Sequence, residues 1–156
     1  MSNTRPIIHL ATDHAGLTLK DAVKVWCERE GYAVTDHGAY QFDALDDFPD
    51  YIKLAAEAVS KDPTARAIIF GGSGQGEAMV ANRYPNVRAT VYYGGNEEII
   101  SLSRQHNDAN VLSVGARFVK IEELLTLLPV WLREEPLPDE KYQRRNQKIE
   151  RITKAL

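Results

Sequence analysis

Four of the six residues in Gly71-Gly72-Ser73-Gly74-Gln75-Gly76 are glycine, and Glu77 follows at once. A backbone so bare turns several N–H groups toward whatever sits at the start of the next helix, which suits a phosphate or a developing oxyanion. A carboxylate beside it supplies the general base needed to remove a proton next to a carbonyl. Ser73 can donate a hydrogen bond to the same intermediate. A tight turn followed by a Glu that merely favours the helix dipole would use the same residues. The loop matches no common phosphate or nucleophile signature. Its glycines spell G-x-G-x-G at Gly72, Gly74 and Gly76 after the third strand, and the next strand runs to Tyr92 and Tyr93 without an acidic partner. No Gly-Lys-Ser/Thr follows, and Gln75 stands where a nucleophile elbow needs its second glycine.

Asp13 and His14 form a second cluster, a carboxylate and an imidazole able to hydrogen-bond sugar hydroxyls and shuttle a proton. Asp13 could equally N-cap the first helix. A third cluster, Ser103-Arg104-Gln105-His106-Asn107-Asp108-Ala109-Asn110, precedes the fifth strand, and Arg117 follows that strand. His106, Asn107 and Asn110 crowd polar groups into one turn, where Asn and Asp are also ordinary turn formers. Near the C-terminus Arg144, Arg145, Lys148 and Arg151 make either an anion clamp or a solvated helix face.

Short β-branched runs alternating with stretches of helical period must position these groups. Strands are expected at Ile7–Ala11, Tyr32–Thr35, Ala67–Phe70, Ala89–Tyr92 and Val111–Val114. Leu19, Ala22, Val23 and Trp26 mark a first amphipathic helix closed by Gly31, and Ile52, Ala55, Ala56 and Val59 mark a second over Pro49–Ser60, with Asp50 in its first turn. Further helices are expected at about Glu77–Arg83, Glu97–Gln105 and Ile121–Leu132, the last broken by Pro136 and Pro138. The uninterrupted Ala67-Ile68-Ile69-Phe70 reads as a central parallel strand covered on both faces. The expected fold is α/β: one doubly wound, Rossmann-like, five-stranded parallel sheet with helices on both faces, and ligands at the strand carboxyl ends. Glu140–Leu156 should form an extended C-terminal helix with few apolar anchors (Ile149, Ile152, Leu156), suited to lie across a partner subunit.

The 156 residues are 44% hydrophobic and 26% charged, with 19 basic and 22 acidic side chains giving a net charge of −3. Residues 1–156 are therefore expected to form a single domain, without low-complexity disorder or a nucleic-acid surface built on positive charge. The single cysteine, Cys27, cannot make an intramolecular disulfide and points to the cytoplasm. No Cys/His spacing resembles a zinc site, so no metal is expected. The apolar stretch ending at Asp13 is only about six residues long, too short to reach a membrane as a signal or a span.

Taken together, Asp13-His14-Ala15-Gly16, Asp47-Phe48-Pro49-Asp50, the Gly71–Gly76 loop, Ala81-Asn82, the Ser103–Asn110 string and Gly115-Ala116-Arg117 resemble the ribose-5-phosphate isomerase B family, which includes the galactose-6-phosphate isomerase subunits. That resemblance implies interconversion of an aldose phosphate and a ketose phosphate through a cis-enediolate, without metal or nucleotide cofactor, in a homodimer (or higher homo-oligomer) whose active sites draw on both subunits. Many members begin the loop with a cysteine base; Gly71 stands there, and the chain resembles the branch in which the glutamate after the loop, here Glu77, is the base. By the same resemblance Asp13 and His106 assist ring opening, Ser73, the loop amides of Gly72, Gly74 and Gly76, and Asn107 stabilise the enediolate, and His14, Arg117 and Arg144 hold the phosphate. Lys148 aligns with a second phosphate-binding arginine, keeping the charge without the bidentate fork. Ribose 5-phosphate is the leading substrate. Allose 6-phosphate, galactose 6-phosphate or erythrulose 4-phosphate, and a non-catalytic sugar-phosphate binding module, are the alternatives.

Overall fold

The computed structural model describes residues 4–155; Leu156, read as one anchor of the last helix, lies outside them. The elements are β1 (Ile8–Thr12), α1 (Leu17–Arg29), β2 (Val34–Asp36), α2 (Phe48–Lys61), β3 (Arg66–Gly71), α3 (Gln75–Ala81), β4 (Ala89–Tyr92), α4 (Glu98–Asn107), β5 (Val111–Gly115), α5 (Ile121–Arg133) and α6 (Glu140–Lys154). The strands are all parallel, in the order β2-β1-β3-β5-β4.

Register sets the two faces. Leu10, Ile68 and Leu112 stand side by side, as do Thr12, Phe70 and Val114. Ile8, Leu10, Ile68, Phe70, Leu112 and Val114 therefore share one face, packed against Leu19, Val23 and Cys27 of α1, Ile100 of α4 and Leu124, Leu128 and Trp131 of α5. Ala11, Ala67, Ile69 and Val111 share the other, packed against Ile52, Ala55, Ala56 and Val59 of α2 and Ala81 of α3. Small residues on the second face let α2 approach the sheet closely. Each fully buried Leu, Ile or Phe contributes about 1.5–3 kcal/mol, so β3, buried on both faces, anchors the fold.

Two boundaries depart from the pattern in the sequence for a local reason, while α5 keeps to it. β2 begins at Val34 because Gly31, at φ 84°, closes α1 and the Tyr32 amide donates to the Cys27 carbonyl at 2.9 Å, drawing Tyr32 back over Trp26. α3 begins inside the glycine loop, since Gly74 at φ 79° caps it. α5 carries Pro129 within it and ends at Arg133, before Pro136. α6 buries no residue against its own chain.

The connections decide where a ligand fits. β1 sends α1 to the first face while its neighbour β3 sends α3 to the second, so the loops leaving these adjacent strands diverge and open a crevice at their carboxyl ends.

Candidate active site

Asp13 leaves β1 at the crevice and caps the one-turn 3-10 helix His14–Gly16, its Oδ1 accepting the Ala15 amide at 3.0 Å. Asp13 therefore caps this short turn instead of α1 itself, and, though the residue is only 7% exposed, it also lines the cavity. His14 donates from Nδ1 to Asp46 Oδ1 at 2.6 Å and from its amide to the same oxygen at 3.2 Å. That hydrogen bond holds the imidazole above its ordinary pKa, desolvation and the Arg117 charge opposing and the Asp13 and Asp46 charges adding to it. Sequence reading passed over Asp46, whose acid neighbours look like a solvated loop. Asp13, His14 and Asp46 lie close together, but the Nδ1 that faces both carboxylates is engaged by Asp46, so the three form a hydrogen-bonded cluster and not a metal-ligand set.

Glu77 stands in the first turn of α3 and is 4% exposed. Its carboxylate fills the space beside Gly71: a Cβ added to Gly71 would overlap Oε1 and Cδ and lie 2.5 Å from Oε2. Burial pushes the Glu77 carboxyl above the ordinary glutamate range, its own backbone amide opposing this and the charge of Asp13 adding to it.

The turn after β5 locks onto the loop. Ala116 and Arg117 amides donate to the Gly71 and Gly72 carbonyls at 2.8 and 3.1 Å, and Ser113 Oγ donates to the Gly74 carbonyl at 2.6 Å. Arg117 thereby brings its guanidinium 3.1 Å from where a Cβ of Gly72 would stand. The loop glycines have separate tasks. Gly74 packs on the backbone of Val114 and Gly115, outside the cavity lining, and a Cβ on Gly76 would strike the Phe48 ring at 2.7 Å. Ser73 Oγ accepts the Gln75 amide at 3.3 Å and keeps its proton to donate. Asp13, His14, Gly72, Ser73, Gly76, Glu77 and Arg117, with Phe48 and Phe118, enclose about 310 Å³. A wider trough of about 790 Å³ at the opposite end of the sheet holds Arg5, Arg66 and Arg133 beside Asp62 and Glu135. Its charged side chains are mostly exposed and of mixed sign, so the smaller crevice is the better candidate.

The remaining expected residues lie elsewhere in the chain. The α4–β5 turn stands at the amino ends of the strands, opposite the cavity. Within it Arg104 donates to the Asp108 carboxylate and the Ala109 carbonyl, both at 2.7 Å, and Asn110 bonds Asn86 and Arg88 backbone groups, so these are framework. His106 stacks on Tyr142 of α6 with ring centroids 4.4 Å apart, and Asn107 is exposed. Arg144 pairs with Glu140 on the outer face of α6, and Lys148 is exposed. Thus Asp13, His14, Ser73, Glu77 and Arg117 meet within one chain, whereas His106, Asn107, Arg144 and Lys148 do not join them there.

A buried carboxylate beside an amide-rich loop, with His14 and Arg117 across the cavity, at the switch point of a parallel sheet, is an α/β arrangement suited to proton transfer on an anionic substrate. The chain belongs to the Ribose/Galactose Isomerase family, whose sequence model matches residues 8–149. It is 33% identical over 138 residues to ribose-5-phosphate isomerase B of Mycolicibacterium paratuberculosis, covering 88% of this chain and 86% of that one. It is 36% identical over 148 residues to a probable ribose-5-phosphate isomerase B of Mycoplasma genitalium, covering 94% and 95%. The crystal structure of the Mycoplasma genitalium enzyme with bound ribulose-5-phosphate superposes with a TM-score of 0.89 at 35% identity, covering 96% of this chain and 97% of that one. No described helix is long and apolar enough to cross a membrane.

Proposed function

We propose that the protein interconverts ribose 5-phosphate and ribulose 5-phosphate through a cis-enediolate, with Glu77 as the general base. The observation that carries this reading is the fit of the Glu77 carboxylate into the space beside Gly71. In relatives with a cysteine base that side chain springs from the same backbone position, so Glu77 delivers its carboxylate where the thiol would be. Cys27, fully buried on α1 with its thiol pushed up to about 12 by burial, has no path to the loop.

In this mechanism Asp13 and the partner subunit's His106 open the sugar ring. Glu77 then takes the C2 proton of the open-chain aldose, and the electron pair moves through C1 to the carbonyl oxygen, where Ser73 and the loop amides meet the negative charge. The hydroxyl proton on the C2 oxygen then passes to the C1 oxygen, the electron pair left on the C2 oxygen forms the ketose carbonyl, and the C1–C2 double-bond pair takes the proton back from Glu77 at C1. His14 and Arg117 hold the phosphate, joined by the partner subunit's Arg144 and Lys148. The partner subunit's Asn107 adds a hydrogen bond to the enediolate. This division explains why the chain keeps those residues away from its own cavity, and why α6 exposes Ile149 and Ile152, 44% and 65% accessible. The working unit is a cytoplasmic homodimer of single-domain chains, using no cofactor or metal.

A coupled assay offering ribose 5-phosphate, allose 6-phosphate, galactose 6-phosphate and erythrulose 4-phosphate tests the substrate. The largest kcat/KM is expected with ribose 5-phosphate. Preference for another sugar phosphate would move the assignment to it, and turnover of none would leave a binding module.

A further inference from the structure

The mechanism leaves Asp46 unused, although it makes the shortest polar contact at the cavity rim. We propose that Asp46 is a positioning residue for substrate phosphate, holding His14 as a cation with its second ring nitrogen free for the cavity beside Arg117. The proposal rests on the reading of His14 and Arg117 as phosphate ligands.

Geometry supports it from several sides. Asp46 Oδ1 accepts both the Nδ1 proton and the backbone amide of His14, at 2.6 and 3.2 Å, which fixes ring and main chain together. With Nδ1 engaged, Nε2 is the nitrogen left to His14 as a lining residue of the cavity. The Asp46 side chain is 5% exposed, and its Oδ2 is buried without a protein partner, so His14 is the cation that balances it. The other groups facing His14 are Asp13, whose Oδ2 is 3.9 Å from Nδ1, Arg117 across the cavity, and the edge-on ring of Phe42 at 5.6 Å between centroids.

Asp46 lies on the connection between β2 and α2, and the start of that connection is pinned to β1. Thr12 and Ala39 amides bond the Gly38 and Thr12 carbonyls, both at 2.7 Å, and the fully buried Lys20 holds Asp36 at 2.7 Å while Asp36 accepts the Gly38 amide at 2.9 Å. The start of the loop is thus in register with the strand that ends in Asp13 and His14. A charged donor bonds phosphate about twice as strongly as a neutral one. Asp46 thereby adds a second cationic donor to Arg117.

The test uses the full-length protein. Imidazole resonances are followed by NMR across pH in wild type, Asp46→Asn and His14→Gln, the last identifying the His14 signal. The same proteins and the double variant are assayed for KM with ribose 5-phosphate and for competition by inorganic phosphate. In Asp46→Asn the His14 titration is expected to fall to lower pH. KM and the phosphate inhibition constant should rise about tenfold near neutral pH, the loss falling on KM rather than kcat. Since Asp46 acts through His14, Asp46→Asn should add less than about twofold in the His14→Gln background. An unchanged His14 titration, or a KM penalty retained in full in that background, overturns the proposal. If inorganic phosphate neither moves the wild-type His14 resonance nor competes with substrate, the phosphate reading beneath it falls instead, whatever Asp46→Asn does to the titration.

Discussion

An ionised carboxylate as enclosed as that of Glu77 has lost much of its hydration, and the fold bears that cost. Its carboxyl titrates above the ordinary glutamate value in the folded chain, so the folded state binds this proton more readily than the unfolded one. The group's contribution to stability is full below the ordinary glutamate range and is lost as pH rises through the raised value. Glu77→Gln is therefore expected to melt a few degrees higher than wild type near pH 8, the gap closing toward pH 4; thermal denaturation at both pH values checks this, and a lower Tm at pH 8 would contradict it. Activity follows the opposite sense. The base must be ionised, so kcat/KM should fall as pH drops through the raised Glu77 value. Loss of the His14 charge, whose titration Asp46 holds upward, should weaken substrate binding on the alkaline side. A flat profile of kcat/KM against pH between these limbs and beyond them would disagree with both assignments.

The glycine loop acts as an element because each glycine accommodates a different neighbour. Gly71→Ala should displace the Glu77 carboxylate and lower kcat about a hundredfold, the scale expected when a reacting group shifts by about an ångström, with a smaller proportional effect on KM; steady-state kinetics would show it, and wild-type kcat would refute the packing argument. Cys27→Ser should keep its activity while losing about 1–3 kcal/mol of stability, since a hydroxyl in that apolar environment lacks a partner; denaturant titration beside an activity assay separates the two effects. β3 and the loop were legible because a contiguous apolar run and dense glycine are local signals. The start of β2 was not, since Tyr32 joins the end of α1 through a hydrogen bond and a stacked Trp26 that no strand propensity records. Asp46 was invisible because its partner His14 lies 32 residues away. The separate work of Gly71 and Gly76 emerged only once Glu77 and Phe48 were seen to fill the spaces beside them. Asn110 and Asp108, equally polar in the sequence, proved to be framework once their hydrogen-bond partners were known.

At the scale of the whole molecule a net charge of −3 does nothing to attract an anionic sugar, so local cations must do it. One chain offers Arg117 and His14 at its cavity, while Arg144, Lys148, His106 and Asn107 sit on surfaces that a second copy would bring in. If the sites are shared, mixing and reassociating Glu77→Gln with His106→Gln should restore roughly a quarter of wild-type activity, because half the dimers then contain one undamaged site of two. No recovery on mixing would place His106 outside the partner's site. The central claim, that Glu77 moves the proton, is met most directly by running ribose 5-phosphate through wild type and Glu77→Gln in deuterium oxide and following the product by NMR. The account predicts that C1 of ribulose 5-phosphate receives either the proton taken from C2 or, where Glu77 exchanges first, a deuteron from solvent, and that turnover slows about 10²–10⁴-fold in a folded Glu77→Gln. Wild-type turnover by a folded Glu77→Gln would contradict it.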